Sequence, residues 1–354
     1  MKKRFKRVMF LLLLVSCGIC GMVLFFNYIK KGKINSLSLE ENGSERIYIP
    51  VTINNRVSSF LFDTGSSHNL IDFGLAQEME LSDNGTFSKN ISGFSKKIRY
   101  DSVAYAFNEI SIGNLNTKDT LLLNQYKGLF LDSIGLKNGI GATLGMKTIK
   151  NFNWLFNFEE NTVTVSKRKI TPPTISDDQI LTLDFFYSKA GSTYMNLSIG
   201  GVTLQNVVFD TGYGEIPFQF AGGREKKIDL AFSNADCELF LSNHKQTYIA
   251  IPSNNLEGAR AIILDSMLIN DFTMQGILAL ERNDYDQTYI TANFVRRFRM
   301  MYFDSTNRKI ELYVSPSDSM RHHRRDIQMF IRALSQHGDD GGGTEIPSSI
   351  IDLW

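Results

Sequence analysis

The clearest pattern along the chain is a period-two alternation that turns back on itself and later occurs a second time. Ile47-Tyr48-Ile49-Pro50-Val51-Thr52-Ile53 places apolar side chains at alternate positions, pauses at Asn54-Asn55, and returns as Ser59-Phe60-Leu61-Phe62-Asp63-Thr64-Gly65. Alternation gives a strand one apolar face, and a turn-forming pair between two such runs predicts a β-hairpin. Far downstream, Thr193-Tyr194-Met195-Asn196-Leu197-Ser198-Ile199 turns at Gly200-Gly201 and returns as Asn206-Val207-Val208-Phe209-Asp210-Thr211-Gly212. Both returning strands end in Phe-Asp-Thr-Gly.

The ends of the two copies match as well. Ala142-Thr143-Leu144-Gly145-Met146-Lys147-Thr148-Ile149 precedes Trp154-Leu155-Phe156-Asn157-Phe158 and Thr162-Val163-Thr164-Val165. Tyr289-Ile290-Thr291-Ala292-Asn293-Phe294-Val295 precedes Met301-Tyr302-Phe303-Asp304 and Lys309-Ile310-Glu311-Leu312. Each stretch predicts a strand, a short helix and a hairpin with a polar turn. An isolated Asp-Thr-Gly is ordinary turn chemistry. Its duplication inside two matching frames is not, and it divides the body into halves at 45–166 and 185–314, joined by a linker at 167–184 that contains Pro172-Pro173.

Before the repeat the pattern changes. A basic segment, 1–7, leads into an unbroken apolar run, Val8–Phe26, and then a tether, 27–44. About 19 apolar residues is close to what a helix needs to cross a bilayer, and the heavier positive charge on the amino side predicts that the body is exported. Leu14-Val15-Ser16-Cys17 offers a second reading, a lipoprotein anchored at Cys17. Either way the body is tethered to a membrane on its periplasmic or extracellular face. After the repeat, 315–354 predicts an amphipathic helix (Ile327, Phe330, Ile331 and Leu334 at helical spacing) and a flexible tail.

Composition adds little beyond exclusions. A formal net charge of +1 over 354 residues gives no reason to expect a nucleic-acid partner. Outside the apolar run Cys237 is the lone thiol, so the body has no internal disulfide; the residue reads as a small, buried or half-buried side chain. His68 has no second histidine at ligand spacing and reads as a solvated or capping residue.

These residues carry a family resemblance. From Ile47 to Tyr313 the chain resembles the two-lobed, pepsin-like aspartic peptidases, in their bacterial form built from two retropepsin-type halves. Phe62-Asp63-Thr64-Gly65-Ser66-Ser67 resembles the catalytic loop, and Thr143-Leu144-Gly145 the apolar-apolar-Gly element beside it. Ile91-Ser92-Gly93-Phe94 through Arg99-Tyr100-Asp101 resembles the flap hairpin, with Gly93 and Phe94 the candidate flap residues. The resemblance implies an all-β, bilobal acid-protease fold made of two pseudo-symmetric retropepsin-like β-barrel halves, here preceded by the transmembrane helix. It also implies Asp63 and Asp210 as the catalytic pair, with Thr64, Gly65, Ser66, Thr211 and Gly212 supporting them and the two threonines hydrogen-bonded across the axis. Two positions depart from the pattern. Tyr213 stands where a small or hydroxyl residue is usual, and Ile290-Thr291-Ala292 lacks the expected glycine.

The chemistry agrees with this arrangement. Hydrolysing a peptide with water needs a base and an acid, and two carboxylates within hydrogen-bond reach share one proton and supply both. No metal or organic cofactor is required, the substrate is a polypeptide, and one chain holding both halves suffices as a monomer. A Ser66 hydroxyl donating to Asp63, with no counterpart at Tyr213, predicts that Asp63 is the more readily ionised member. The competing class is a non-catalytic relative that keeps the groove and binds extended peptide.

Overall fold

The computed structural model describes residues 35–39, 46–87, 91–92, 99–100, 103–124, 141–173, 179–189, 191–199, 202–213, 218–221, 246–250, 259–282 and 287–314. The fold is predominantly β. In chain order the strands of the first half are β1 (Asn35–Ser38), β2 (Tyr48–Ile53), β3 (Arg56–Phe62), β4 (Asn69–Asp72), β5 (Thr86–Phe87), β6 (Ile91–Ser92), β7 (Arg99–Tyr100), β8 (Val103–Ile112), β9 (Leu115–Asn124), β10 (Ala142–Leu144), β11 (Asn153–Asn157) and β12 (Thr162–Ser166). Those of the second half are β13 (Gln179–Tyr187), β14 (Thr193–Ile199), β15 (Val202–Asp210), β16 (Phe218–Ala221), β17 (Gln246–Ala250), β18 (Ala259–Ile269), β19 (Phe272–Arg282), β20 (Tyr289–Thr291), β21 (Met300–Asp304) and β22 (Lys309–Val314). Three short helices accompany them: α1 (Phe73–Glu78), α2 (Met146–Ile149) and α3 (Ala292–Val295).

The predicted hairpins form as read. β2 and β3 pair from Tyr48↔Leu61 to Ile53↔Arg56. Asn54 and Asn55 both take positive φ, 50° and 62°, the geometry a two-residue hairpin turn needs to match strand twist. β14 and β15 pair from Tyr194↔Val208 to Ile199↔Val202, with a register shift between Met195 and Leu197, and the expected Gly200-Gly201 turn lies outside the described residues.

The duplication extends to topology. In the first half the strands run β2-β3-β10-β4-β9-β8, and an additional β2–β8 pairing brings the two ends together. In the second they run β14-β15-β20-β16-β19-β18, closed by β14–β18. The signs of pairing agree strand for strand: β3–β10 and β15–β20 are parallel, as are β4–β9 and β16–β19, within otherwise antiparallel ladders. Closure removes the open edges that a six-stranded sheet would otherwise present.

A second layer joins the halves. β1-β12-β11-β21-β22-β13 form one antiparallel run, with β11 from the first half paired to β21 from the second through Trp154↔Phe303, Leu155↔Tyr302, Phe156↔Met301 and Asn157↔Met300. The terminal hairpins expected from sequence therefore exist, but they pair with each other. This also moves the boundaries. Asn35–Ser38, inside the 27–44 segment read as tether, is a strand on β12; Gln179–Tyr187, begun inside the 167–184 linker, is a strand on β22. The cause is the edge each hairpin exposes, whose unpaired backbone groups take up a neighbouring strand.

Aromatic packing ties this layer to the rest. Phe62, immediately before Asp63, meets Trp154 edge-on at 5.0 Å, Phe156 at 4.9 Å and Phe303 at 6.4 Å. All four are fully buried, within a single apolar cluster drawn from both halves. Such rings supply large buried areas and a preferred edge-to-face geometry, so the strand that delivers Asp63 ends on a rigid floor.

Among the described residues no helix is long and apolar enough to cross a membrane. The apolar run Val8–Phe26, Cys17, Cys237 and the C-terminal segment 315–354 lie outside the described residues.

Candidate active site

β3 and β15 each end at an aspartate, and a parallel partner strand fixes where. Asp63 N donates to Leu144 O of β10 at 3.0 Å, and Asp210 lies in register with Thr291 of β20. Past the aspartate each chain folds back on its own carboxylate. Gly65 N and Ser66 N both donate to Asp63 Oδ1 at 2.9 Å, and Gly212 N donates to Asp210 Oδ1 at 2.9 Å. Amides aimed at a carboxylate oxygen hold its orientation and favour its charge.

The two loops are locked by their threonines. Thr64 N donates to Thr211 Oγ1 and Thr211 N to Thr64 Oγ1, each at 3.1 Å. Thr64 Oγ1 in turn donates to Phe209 O and Thr211 Oγ1 to Phe62 O, each at 2.6 Å. Only a hydroxyl can accept from one backbone and donate to another in this way. Both threonines are fully buried, so losing either leaves polar groups unpaired where water does not reach.

The glycines make the carboxylates meet. A Cβ on Gly65 would lie within 2.6 Å of all three carboxyl heavy atoms of Asp210, and a Cβ on Gly212 within 2.6 Å of those of Asp63. Each half thus leaves open the space that the other half's carboxyl fills. Asp63 and Asp210 come together, hydrogen-bonded to each other, with 8% and 6% of their surface exposed.

Burial pushes both carboxyls above the ordinary aspartate range, since neither is well hydrated when charged. The loops then separate them. The amides of Ser66 and Gly65, the hydrogen bond from Asp210 and the positive charge of Arg46 draw Asp63 back down. Asp210 is pushed well up, first by burial and then by the negative charge of Asp63 and the hydrogen bond it gives to Asp63, with the amides of Gly212 and Tyr213 opposing. Of the two carboxyls, Asp210 is the more strongly raised.

The donor expected at Asp63, the Ser66 hydroxyl, is engaged elsewhere. The Ser66 hydroxyl donates to His68 O at 2.8 Å rather than to Asp63; it is the Ser66 backbone amide that reaches the carboxylate. A hydroxyl has one proton, and the turn after the loop takes it. The Tyr213 amide donates to the Asp210 backbone carbonyl at 3.3 Å and also opposes the rise of the Asp210 carboxyl. The missing glycine also has an explanation. Gly145 is required because its Cβ would fall within 3.0 Å of three backbone atoms of His68. In the second half the equivalent helix cap is Thr291, fully buried and with the same extended backbone, φ −112° and ψ 174° against −96° and 178°. Both caps support the same bond: Met146 N donates to Ser66 O, and Ala292 N to Tyr213 O, each at 2.8 Å.

His68 is half-buried, its Nδ1 2.7 Å from Ser67 Oγ. β6 and β7 pair through Ile91↔Tyr100 and Ser92↔Arg99, while the expected flap residues Gly93 and Phe94 lie outside the described residues. Two further supports escaped the sequence reading. Ser192 Oγ donates to Gly65 O at 2.9 Å and Thr193 N to Thr64 O at 3.2 Å, so the start of β14 clamps the first loop. A serine and a threonine before a strand carry no sequence signal of such a contact.

Comparison with known proteins bears on the first half. No curated protein matches the chain. Residues 49–148 match the family model described as aspartyl protease, a segment running from β2 to α2 and including Asp63-Thr64-Gly65. Over that segment the chain is similar to the aspartyl protease family.

Proposed function

We propose that the protein is an aspartic endopeptidase of bilobal acid-protease architecture, in which Asp63 and Asp210 activate one water against a peptide carbonyl. The observation that carries this reading is the reciprocal fit of each carboxyl into the space left by the other half's glycine. A pure peptide-binding scaffold has no use for two buried, proton-sharing acids, whose desolvation is unfavourable. In the reaction, Asp63 takes a proton from the water while Asp210 gives its proton to the carbonyl oxygen, producing a tetrahedral diol. Collapse of the diol moves the proton on Asp63 to the leaving nitrogen, returns a hydroxyl proton of the diol to Asp210 and breaks the C–N bond. Thr64, Gly65, Ser66, Thr211 and Gly212 hold the pair in place. Both loops come from one chain, so a monomer is self-sufficient. The basic and apolar N-terminus supports an exported enzyme held at a membrane by Val8–Phe26, or by lipid on Cys17.

The test is a peptide-library digest by the full-length protein in detergent, beside Asp63→Asn and Asp210→Asn. Each substitution should reduce cleavage by at least about 10³-fold, and the double variant should be hardly worse, because the pair acts as one unit. Cleavage retained in either single variant would rule out the dyad. Tight binding of library peptides by the parent, with no cleavage, would point to a peptide-binding relative instead.

A further inference from the structure

Behind the first catalytic loop lies a chain of hydrogen bonds that all run one way. Gly145 N donates to Asn69 Oδ1 at 2.9 Å, Asn69 Nδ2 to Thr148 Oγ1 at 2.9 Å, and Thr148 Oγ1 to Asp119 Oδ2 at 2.7 Å. Asn69 and Thr148 are fully buried and Asp119 is 4% exposed, while the other oxygen of Asp119 meets Lys147 Nζ at 3.1 Å. The direction follows from the ends. A carboxylate only accepts, so the threonine proton points to Asp119 and its lone pair faces Asn69. The amide nitrogen of Asn69 must then face Thr148, which leaves its oxygen for Gly145. Bonds aligned in this way polarise one another.

The residue at the end of the chain sits between the two bonds that hold Asp63. On one side of Gly145, Leu144 O accepts from Asp63 N; on the other, Met146 N donates to Ser66 O. A shift of Gly145 therefore moves the backbone whose amides orient the Asp63 carboxylate. The second half keeps the output bond but not the chain. Its counterpart of Thr148, the third residue of α3, is Phe294, which packs against Phe298 at 5.3 Å, itself 6.3 Å from Phe272. A phenyl ring cannot relay a hydrogen bond.

We propose that Asn69, Thr148 and Asp119 are positioning residues for Asp63, forming a buried relay that fixes the first catalytic loop, a task the second half gives to aromatic packing. The inference rests on the peptidase reading for its kinetic consequence and on the structure alone for its effect on the loop.

The experiment compares Thr148→Val, close to isosteric but without a hydroxyl, with Thr148→Ser, in the full-length protein. Thr148→Val should lower kcat at least about tenfold with KM changed by no more than about twofold, because a displaced carboxylate impairs the transition state more than binding. Thr148→Ser should recover most of the loss. Hydrogen exchange followed by mass spectrometry should show residues 63–66 exchanging faster in the valine variant and residues 210–213 unchanged. That readout holds even if the parent cleaves nothing, so failure of the peptidase reading stays separate from failure of the relay. A folded valine variant with parental kcat and parental exchange overturns the proposal, as does equal impairment by valine and serine. If the valine variant does not fold, Asp119→Ala serves: it removes the acceptor at the end of the chain, and parental kcat and exchange in it are equally fatal.

Discussion

The acid–base character of the site is a property of two residues and their burial. Both carboxyls titrate above the ordinary aspartate range because desolvation opposes their charge, and Asp210 is raised further by its neighbour's charge. The folded chain therefore holds protons that the unfolded chain releases above about pH 4. Stability from the pair is present below that pH and is lost as pH climbs through the raised folded values. Asp210→Asn removes the group whose ionisation is most opposed. It should melt at a higher temperature than the parent at about pH 7, with the gap closing toward about pH 4. Calorimetry at both pH values checks this, and a gap that does not change with pH would contradict the assignment. Activity should be bell-shaped on the same axis, rising as the first proton leaves the pair and falling with the second.

At the scale of elements, each loop depends on a strand and short helix from the far end of its own half. β10 lies parallel to β3, and α2 follows it past the His68 backbone with no room for a side chain at Gly145. Gly145→Ala should therefore destabilise the protein by about 1–3 kcal/mol, the usual range for overpacking a rigid site. A urea titration measures it, and an unchanged midpoint would show that the His68 turn can yield. The sequence marked this glycine as part of a motif and left its second-half counterpart as an anomaly. Register places Thr291 at the equivalent cap with the same extended backbone.

For the whole molecule, the joint sheet and the N-terminus bear on where the proposed peptidase would work. With Asn35–Ser38 paired to β12, only residues 27–34 separate the apolar run from the folded body. A flexible segment of that length reaches roughly 15 Å, so under the proposed anchoring the dyad works close to the bilayer surface on exported or envelope polypeptides. Intact-mass measurement of the membrane-extracted protein should find the complete chain. A mass lacking the first 16 residues and carrying acyl chains would replace the spanning helix with lipid on Cys17.

What the sequence determined by itself was the repeat. Period-two alternation, the Asn54-Asn55 turn and the paired Phe-Asp-Thr-Gly endings are local, and local patterns of side-chain facing and turn chemistry survive without knowledge of partners. They were enough to place the two hairpins and name both aspartates. Tertiary structure decided everything that depends on atoms distant in sequence. It set β11 against β21, drew Asn35–Ser38 into the sheet, and brought Ser192 onto the Gly65 carbonyl. It also assigned the donors at Asp63 to backbone amides and the Ser66 hydroxyl to His68. The physical reason is that a hydrogen bond or a desolvated charge depends on what a group faces after packing, and residue type alone does not specify that.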